Sequence, residues 1–353
     1  MTKASYDSPV TGVFVAPRQG AKGVQMRVKT GLALLVATLC CAVLAQSALA
    51  ADTRIPRKPA PSWLTDSLKA QIHDAGANGV QVPQAAEYLN TDCPGFAQPG
   101  VSANGCIVSP YGCTANFIWT DSPGTQAWKT QPYIGTASHC SDKNGDVVIM
   151  QVDSTTLAEV GTVVKQTAQE EPGDDFALIQ VYPEVAQKWG VNPAIPTGGP
   201  QGVYDGCDPQ LVKNYGHGYV VYMGQGKPEA GAAPHWYNDG YGWFGVGVPG
   251  DSGSGITIQD NRSAGDFTHI IIFDPDFFFT PGELTGTRTT AILQFLGSGW
   301  AQVNADGTTS TSGPAQCGTS VTSASPNSGG GGGGGKAGPH GAGGKGGGKS
   351  GKH

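Results

Sequence analysis

The sequence predicts an all-β fold, either a barrel or a sandwich, for the central part of the chain. Glycine and proline, at 55 and 25 of the 353 residues, favour short strands joined by turns over long helices. Turn residues bound a series of β-branched or apolar runs: DVVIMQV, AEVGTVVKQ, FALIQVY, HGYVVYMG, GITIQ and THIIIF. No helical periodicity of comparable length separates these runs, which argues against βαβ units.

A helix is the late exception to this pattern, and it is predicted in RTTAILQFLGSGW. Thr289 or Thr290 would cap its start, because a side-chain oxygen there can accept a hydrogen bond from the first turn. The apolar face of this helix would hold Ala291, Ile292, Phe295 and Leu296.

Residues 1–50 have the features of a leader that contains a secretory signal peptide. From Met26, the basic Arg27 and Lys29 precede an apolar run and a small-x-small site at residues 48–50. The apolar run is shorter than the ~20 residues that span a bilayer. We therefore expect Met26 to be the working start, and the mature protein to be secreted, extracellular and without a membrane span.

Residues 51–92 form an N-terminal extension that begins with the Pro-rich RIPRKPAPSW. The following LTDSLKAQIHDAG predicts a short amphipathic helix with Leu64, Leu68 and Ile72 on one face. The extension is a propeptide, a linker or a strap across the domain behind it, and the sequence leaves these three roles open.

Residues 318–353 form a Gly/Lys-rich tail that should be disordered, because it has almost no apolar side chain to bury. Its lysines are Lys336, Lys345, Lys349 and Lys352, and it contains no acidic residue. The tail is either a solvated end or a weak electrostatic tether to an anionic surface.

Net charge and cysteine content argue against two classes of function, nucleic-acid binding and zinc binding. The net charge of −6 argues against nucleic acid as a partner, since phosphate binding favours a basic surface. Without the leader, the even set of cysteines in an exported chain predicts disulfides: Cys93, Cys106, Cys113, Cys140, Cys207 and Cys317. This part of the chain has no CxxC pair, which argues against zinc, and we expect no metal and no cofactor.

Three polar residues have the chemistry of nucleophilic catalysis. A serine needs a base to take its proton and an acid to orient that base. GVPGDSGSG, residues 247–255, offers Ser252, and YIGTASHC offers His139 as the base beside a cysteine. GDDFALIQV offers Asp175 at the start of an apolar strand, with Asp174 as its competitor.

TASHC, DFAL and GDSGSG, in this order, resemble the signature blocks of the trypsin/chymotrypsin-like serine proteases, T-A-x-H-C, D-x-A-L and G-D-S-G. The His–Asp–Ser order differs from that of α/β-hydrolases and subtilisins. The resemblance covers about residues 106–300. It implies a chymotrypsin-like double six-stranded antiparallel β-barrel with a C-terminal helix, over residues 93–317, and a serine endopeptidase that cleaves proteins or peptides.

The resemblance also implies residue roles. His139 would be general base and then general acid, Asp175 would orient it, and Ser252 would form the acyl-enzyme. The N–H groups of Gly250 and Ser252 would form the oxyanion hole.

A disulfide is implied in the same way, between Cys113 and Cys140. The four remaining cysteines allow three pairings. Of these we favour Cys93–Cys106 with Cys207–Cys317.

The chain departs from the family pattern at two points. It lacks the Ile-Val-Gly-Gly-like terminus whose amine would pair with Asp251, so we expect an internal partner, with Arg262 and Arg288 as candidates. The family has the base of its primary specificity pocket six residues before the nucleophile, and this position is Val246 here. An apolar residue there argues against specificity for Lys or Arg. His269 lies near the position where glutamate-specific relatives have a pocket histidine, although a packed strand histidine explains it as well.

Two other functions fit the same blocks. One is a catalytically silent binding protein on the protease fold, and the other is an esterase on this scaffold. Enzymes that have lost activity usually lack a triad residue, whereas all three are present here, which favours the protease.

Overall fold

The computed structural model describes residues 51–54, 57–82, 93, 98–168, 173–218, 228–272 and 283–318. The predicted leader, the tail beyond residue 318 and most of the predicted strand HGYVVYMG lie outside the described residues.

Short strands come before the first barrel: β1 (Ala51–Arg54), β2 (Lys58–Pro59), β3 (Val80–Gln81) and β4 (Val101–Ser102). The strands of the first barrel then follow: β5 (Cys106–Ser109), β6 (Tyr111–Thr114), β7 (Ile118–Thr120), β8 (Tyr133–Thr136), β9 (Val147–Gln151), β10 (Thr156–Gln166) and β11 (Ala177–Val181). A short strand, β12 (Val191–Asn192), pairs with β4.

One bent segment closes the first barrel. The strand order is β6-β5-β9-β10-β11-β8-β7, and β6 and β7 are the two halves of residues 111–120. Between them, the Ala115 N–H donates to Gly105 O (2.8 Å) and the Asn116 N–H to Gly135 O (2.7 Å). Because the same segment pairs at both ends of the sheet, the sheet forms a closed antiparallel barrel of six strand segments.

The second barrel contains β13 (Gln210–Tyr215), β14 (Pro228–Trp236), β15 (Gly240–Phe244), β16 (Gly255–Ile258), β17 (Ser263–Asp266), β18 (His269–Ile272) and β19 (Glu283–Thr287). Its order is β18-β19-β15-β14-β13-β16-β17. Residues 263–272 supply both β17 and β18, so one segment again joins the two ends of the sheet. β1 pairs with the remaining edge of β18.

Each barrel has its own apolar core. Ile107, Ile134 and Val160 lie in the first, and Trp243, Tyr241 and Phe267 in the second. Alternate residues of each strand face these interiors, as expected when a β-barrel is filled by side chains. The all-β double barrel predicted from the sequence is therefore confirmed.

In the described ranges, three α-helices lie outside the barrels: α1 (Asp66–Ala75), α2 (Pro183–Trp189) and α3 (Thr289–Leu296). In α1, the Thr65 hydroxyl accepts the Leu68 N–H at 3.2 Å. Ile72 is buried beside Leu64, with Leu68 packed against the same cluster, so the predicted apolar face of α1 is confirmed. The extension thus packs on the first barrel through α1, β2 and β3.

The predicted C-terminal helix is confirmed as α3, but the expected cap is wrong. Arg288 is the N-cap residue and makes no side-chain cap bond, while Thr289 and Thr290 are already helical. The reason is that Arg288, directly after β19, is extended and makes a β-bridge to Gly265, so the helix begins only at Thr289. Ile292 and Leu296 are buried against Phe117, Trp119 and Phe176 of the first barrel.

Among the described residues, three disulfides are present: Cys93–Cys106, Cys113–Cys140 and Cys207–Cys317. Beyond α3, β20 (Ala301–Val303) pairs with β7, and β21 (Thr309–Ser310) pairs with β20. The C-terminal segment therefore returns to the first barrel before Cys317 ties it to Cys207.

Candidate active site

His139 lies in a 3₁₀ turn, Ser138–Cys140, that directly follows β8. The turn is covalently tied to β6 by the Cys113–Cys140 disulfide. The His139 residue is 1% exposed. The imidazole is therefore held by strand pairing on one side and by a disulfide on the other.

Asp175 lies just before β11 and meets His139 through both carboxylate oxygens. Its Oδ2 lies 2.6 Å from His139 Nδ1, and its Oδ1 accepts the His139 N–H at 3.0 Å. The Ser138 hydroxyl also donates to Oδ1 at 2.7 Å. The competing Asp174 accepts the Thr167 hydroxyl with its backbone carbonyl. Asp175 is thus the acid that lies at the imidazole.

The environment keeps Asp175 ionised. Burial raises the pKa of its carboxyl, but the charge of His139 and the hydrogen bonds from His139 and Ser138 outweigh burial and lower this pKa to about 2. A carboxylate at this position accepts a hydrogen bond from the Nδ1–H group and fixes the tautomer in which Nε2 is the acceptor. Nε2 is buried and has no hydrogen-bond partner among the described residues.

Ser252 lies on the tight turn between β15 and β16, next to the His139 turn. The Ser252 carbonyl accepts the Thr114 N–H at 2.9 Å and lies 3.8 Å from Cys140 Sγ. No hydrogen bond joins the Ser252 hydroxyl to Nε2 of His139 among the described contacts. Catalytic hydrogen bonds are often loose before substrate binds, so this spacing is compatible with a serine–histidine pair.

Two glycines give this turn its shape. Gly250 and Gly253 have φ of +104° and +86°, in the left-handed region that favours glycine. A Cβ on Gly253 would collide with the Thr136 hydroxyl and the Thr114 carbonyl. The glycines of GDSGSG are therefore required by the steric limits of the turn that carries Ser252.

Two residues of the first barrel hold the second barrel at this turn. The Thr114 hydroxyl donates to Gly250 O (2.8 Å) and accepts the His217 N–H (2.9 Å). Asn104 Oδ1 accepts the Gly255 N–H (3.0 Å), and its Nδ2 donates to Tyr215 O (2.9 Å). No sequence motif marks either residue, although Thr114 directly follows a cysteine of the predicted disulfide.

Asp251, beside Ser252, is buried and accepts hydrogen bonds from backbone N–H groups. Its Oδ1 accepts the Gly218 N–H (2.6 Å) and its Oδ2 the Val248 N–H (2.9 Å). Burial raises the pKa of Asp251 to about 6, against the opposing effect of these N–H groups and of the Lys58 charge. A Cβ on Gly216 would collide with Oδ1, so glycine is required where the chain passes this carboxylate.

The structure gives both arginines that the sequence analysis considered for Asp251 other partners. Arg262 pairs with Asp260 at 2.8 Å. The Arg288 guanidinium donates to backbone carbonyls, including those of Tyr237 (2.9 Å) and Gly206 (2.9 Å).

The cation near Asp251 is Lys58 of β2. Its aliphatic chain lies along Gly112 and reaches Gly250, where an added Cβ would be 3.2 Å from Lys58 Cδ. Sequence reasoning missed this lysine because it lies far from the motif in a segment without a strand pattern.

The two predicted pocket residues differ in their surroundings. Val246 is 45% exposed. His269 is buried at the start of β18, where Nδ1 lies 2.8 Å from Thr268 Oγ1 and 3.9 Å from Asp175 Oδ2. Its ring meets that of His139 edge-on, with centroids 6.4 Å apart. His269 therefore packs against the acid–base pair, while its role in specificity stays a prediction.

Asp266 is a further buried carboxyl that the sequence did not single out. Its Oδ1 accepts the Thr287 N–H at 3.1 Å. Burial raises the pKa of Asp266 well above its usual range, and the charge of Asp175 adds to the shift. Burial and the nearby Asp175 charge therefore both disfavour the ionised form of Asp266.

Within the part of the chain that the structure describes, no group of three His, Cys, Asp or Glu side chains could hold a metal ion. In the same part, no helix is both long and apolar enough to cross a membrane.

No family model and no curated protein matches the chain. Solved structures that are similar to it include Thermobifida fusca protease A (15% identity, TM-score 0.39), which covers 56% of this chain and 96% of its own. Cellulomonas bogoriensis chymotrypsin shows 17% identity, a TM-score of 0.37 and coverage of 56% and 96%. A Glu endopeptidase shows 14% identity, a TM-score of 0.37 and coverage of 62% and 94%. The function proposed below therefore rests on the geometry of the site.

Proposed function

We propose that this chain is a serine-type endopeptidase that hydrolyses peptide bonds through His139, Asp175 and Ser252. One observation carries the proposal. A buried acid–base pair has its acceptor nitrogen without a partner among the described residues, and it lies beside a glycine-shaped turn that presents a serine. This is the arrangement that a weak nucleophile needs in order to lose its proton near neutral pH.

The first half-reaction forms an ester on Ser252. Its hydroxyl attacks the peptide carbonyl while Nε2 of His139 takes the proton, and Asp175 stabilises the resulting imidazolium. The low pKa of Asp175 supports this role, because the carboxylate stays ionised across the working range. The same imidazolium then gives its proton to the leaving amine, and the C–N bond breaks.

The second half-reaction reverses the roles, with water as the nucleophile. Water attacks the ester, His139 takes the proton from water, and the carboxylic acid product leaves as Ser252 is restored. In both halves, the N–H groups of Gly250 and Ser252 would donate to the oxyanion. Loss of one such donor costs about 10²- to 10³-fold in turnover.

Secretion belongs to the same proposal. Three disulfides support an oxidising environment, since such bonds are rare in proteins of a reducing cytosol. An apolar or small residue before the scissile bond is the specificity that Val246 favours. Neither statement is needed for the chemistry of the triad.

Covalent labelling of Ser252 by a fluorophosphonate tests the nucleophile, and a peptide-library cleavage profile tests the substrate class. We expect the processed protein to be labelled and to cleave peptides. We expect the Ser252→Ala variant to lose labelling and about 10⁶-fold of turnover, as in other serine triads. Absence of labelling from pH 6 to 9 would identify a silent binding protein, and labelling without peptide cleavage would identify an esterase.

A further inference from the structure

Thr287, the last residue of β19, connects the second barrel to the acid of the candidate site. Its hydroxyl oxygen accepts the Asp175 N–H at 3.1 Å and lies 3.5 Å from the Asp175 carbonyl oxygen. Thr287 is buried, so these contacts are shielded from water. Asp175 directly precedes β11 of the first barrel, and its main chain is therefore held in part by a side chain of the other barrel.

The carboxyl group of Asp266, the last residue of β17, holds Thr287 in turn. Asp266 Oδ1 accepts the Thr287 N–H at 3.1 Å. The backbone carbonyl of Asp266 accepts the Tyr241 hydroxyl at 2.8 Å, which ties the end of β17 to β15. A series of hydrogen bonds therefore leads from Asp266 through Thr287 to the main chain of Asp175.

Strands β17 and β19 approach each other closely at these two residues. A Cβ on Gly265 would collide with the Thr287 carbonyl, and a Cβ on Gly286 would collide with the Asp266 carbonyl. Directly after Thr287, the chain makes a β-bridge back to Gly265. This close packing leaves Asp266 and Thr287 little room to move relative to each other.

The surroundings of the Asp266 carboxyl group favour its neutral form. Asp266 is 0% exposed, and its Oδ2 makes no hydrogen bond to a described residue. The titratable and charged groups around it are Asp175, Tyr241 and Arg288, with His269 on the far side of Asp175. Burial raises the pKa of Asp266, and the charge of Asp175 raises it further.

We propose that Asp266 and Thr287 are positioning residues that align Asp175 with His139 from the second barrel, and that Asp266 does so as a neutral carboxyl group. The inference rests on the proposed endopeptidase function. Neither residue touches the reacting atoms; both act through the main chain of Asp175. The acid–base pair belongs to the first barrel, so its geometry would depend on the second barrel as well.

Loss of either contact should have a definite chemical signature. A looser main chain at Asp175 would weaken the hydrogen bond between its Oδ2 and Nδ1 of His139, which is 2.6 Å long in the structure. The imidazolium that forms during catalysis would then be less stabilised and would give up its proton at lower pH. The acid limb of kcat/KM, which reports on the base of the free enzyme, should move in the same direction.

Steady-state cleavage of a short peptide by the full chain, measured across the pH range, tests these roles. Asp266→Val and Thr287→Val each remove an acceptor, and each should lower kcat about tenfold, with little change in KM and an acid limb at lower pH. Asp266→Asn and Thr287→Ser keep an acceptor at the same place and should recover most of the loss. Asp208→Asn, at an exposed position next to Cys207, is the matched control and should keep the wild-type profile.

The two residues give independent tests, so that a variant that fails to fold does not decide the result. If Asp266→Val does not fold, Thr287→Val and Thr287→Ser are compared instead. A folded valine variant with the wild-type kcat and acid limb would overturn this inference. So would a lower Tm with an unshifted acid limb, because the role would then be structural only. In both cases, wild-type protein that takes the fluorophosphonate label and cleaves peptides would leave the proposed function intact.

The Tm of Asp266→Asn tests the neutral carboxyl group separately from catalysis. Because the pKa of Asp266 is raised in the folded protein, its contribution to stability is present at low pH and is lost as pH rises through that pKa. The Tm of Asp266→Asn relative to wild type should therefore rise between pH 5 and pH 9. A constant Tm difference would overturn the neutral form. An acid limb moved to lower pH without loss of kcat would do the same, since the variant would then have removed a negative charge.

Discussion

The acid–base pair and the nucleophile turn are built in different ways. His139 and Asp175 are held by side-chain hydrogen bonds, with both carboxylate oxygens satisfied. Ser252 is held through its backbone carbonyl, which accepts from Thr114 of the other barrel. The side-chain hydrogen bonds of Asp175 fix the position of the proton on His139, whereas the backbone hydrogen bond from Thr114 fixes the conformation of the turn at Ser252.

The difference shows which substitutions each half tolerates. A change of polar atoms should damage the acid–base pair, while a change of shape should damage the turn around Gly250 and Gly253. The turn also depends on groups outside its own barrel, namely Thr114 and the charge of Lys58. Substitutions in the two halves should therefore lower turnover by different amounts and for different reasons.

Asp175→Asn should have the largest effect of these. The amide keeps the shape but favours the wrong imidazole tautomer, and the comparable change in a well-known serine triad lowers kcat about 10⁴-fold. Steady-state cleavage of one peptide at pH 7 measures this loss. Asp174→Asn is the matched control and should stay near wild type, so a loss of less than tenfold in Asp175→Asn, or a similar loss in the control, would contradict the assignment.

Gly253→Ala should disable the turn through shape alone. The methyl group would meet the Thr136 hydroxyl and the Thr114 carbonyl, so the N–H of Ser252 would move and about 10²- to 10³-fold of turnover should be lost. Gly297→Ala is the control, because its φ of +101° is similar but nothing lies within 4 Å. If both variants lose activity equally, crowding at Gly253 is not the cause.

Thr114→Val should have an intermediate effect. It removes the hydroxyl that donates to Gly250 O and leaves the buried His217 N–H unpaired, which costs about 1–3 kcal/mol. We expect kcat to fall about tenfold or more, together with a lower Tm. Thr257→Val is the control, since the Thr257 hydroxyl is buried without a partner among the described residues, and this variant should be as stable as wild type or more so.

Lys58→Met should shift the pH dependence. The Lys58 charge lowers the pKa of Asp251, so its removal should raise that pKa above about 6 and move the acid limb of kcat to higher pH. A raised folded-state pKa favours the folded protein at low pH, and stability falls as pH rises through that pKa. The Tm of Lys58→Met should therefore drop more at pH 8 than at pH 5.

Lys69→Met is the control for this shift, because Lys69 is a half-buried helix residue whose nearby acid is Asp66 at 3.6 Å. Its pH profile should match wild type. A Lys58→Met variant with an unshifted acid limb would show that Lys58 does not act on the nucleophile turn.

Truncation after residue 318 should have the smallest effect. The described fold ends near Cys317, which is tied to Cys207. Turnover of a short peptide should be unchanged in the truncated chain. A loss of more than a few-fold would assign the tail a role in the site.

The sequence was informative where a pattern is local. Strand runs predicted most of the two barrels, and apolar spacing predicted α1 and α3. The motif blocks predicted His139, Asp175 and Ser252 as site residues, and their assignment as a catalytic triad remains a proposal. These features depend on neighbours in the chain or on short motifs.

The remainder depends on contacts that no local pattern encodes. Lys58 meets the nucleophile turn across a long separation in sequence, and Thr114 and Asn104 act across the barrel junction. Asp266 is unusual only because it is buried, which its sequence neighbours do not indicate. The sequence did not predict the cap of α3, because Arg288 directly follows β19 and is held in an extended conformation by a β-bridge to Gly265.

The bonds from Thr114 and Asn104 have a consequence for behaviour on heating. They join two bodies whose apolar cores are separate, so a small drift of one barrel against the other would break them before either core is exposed. Heat inactivation should then begin below the unfolding temperature and be reversible on brief cooling. The hydrogen bonds between the two barrels, rather than the stability of either core, would then determine how long the protein stays active at elevated temperature.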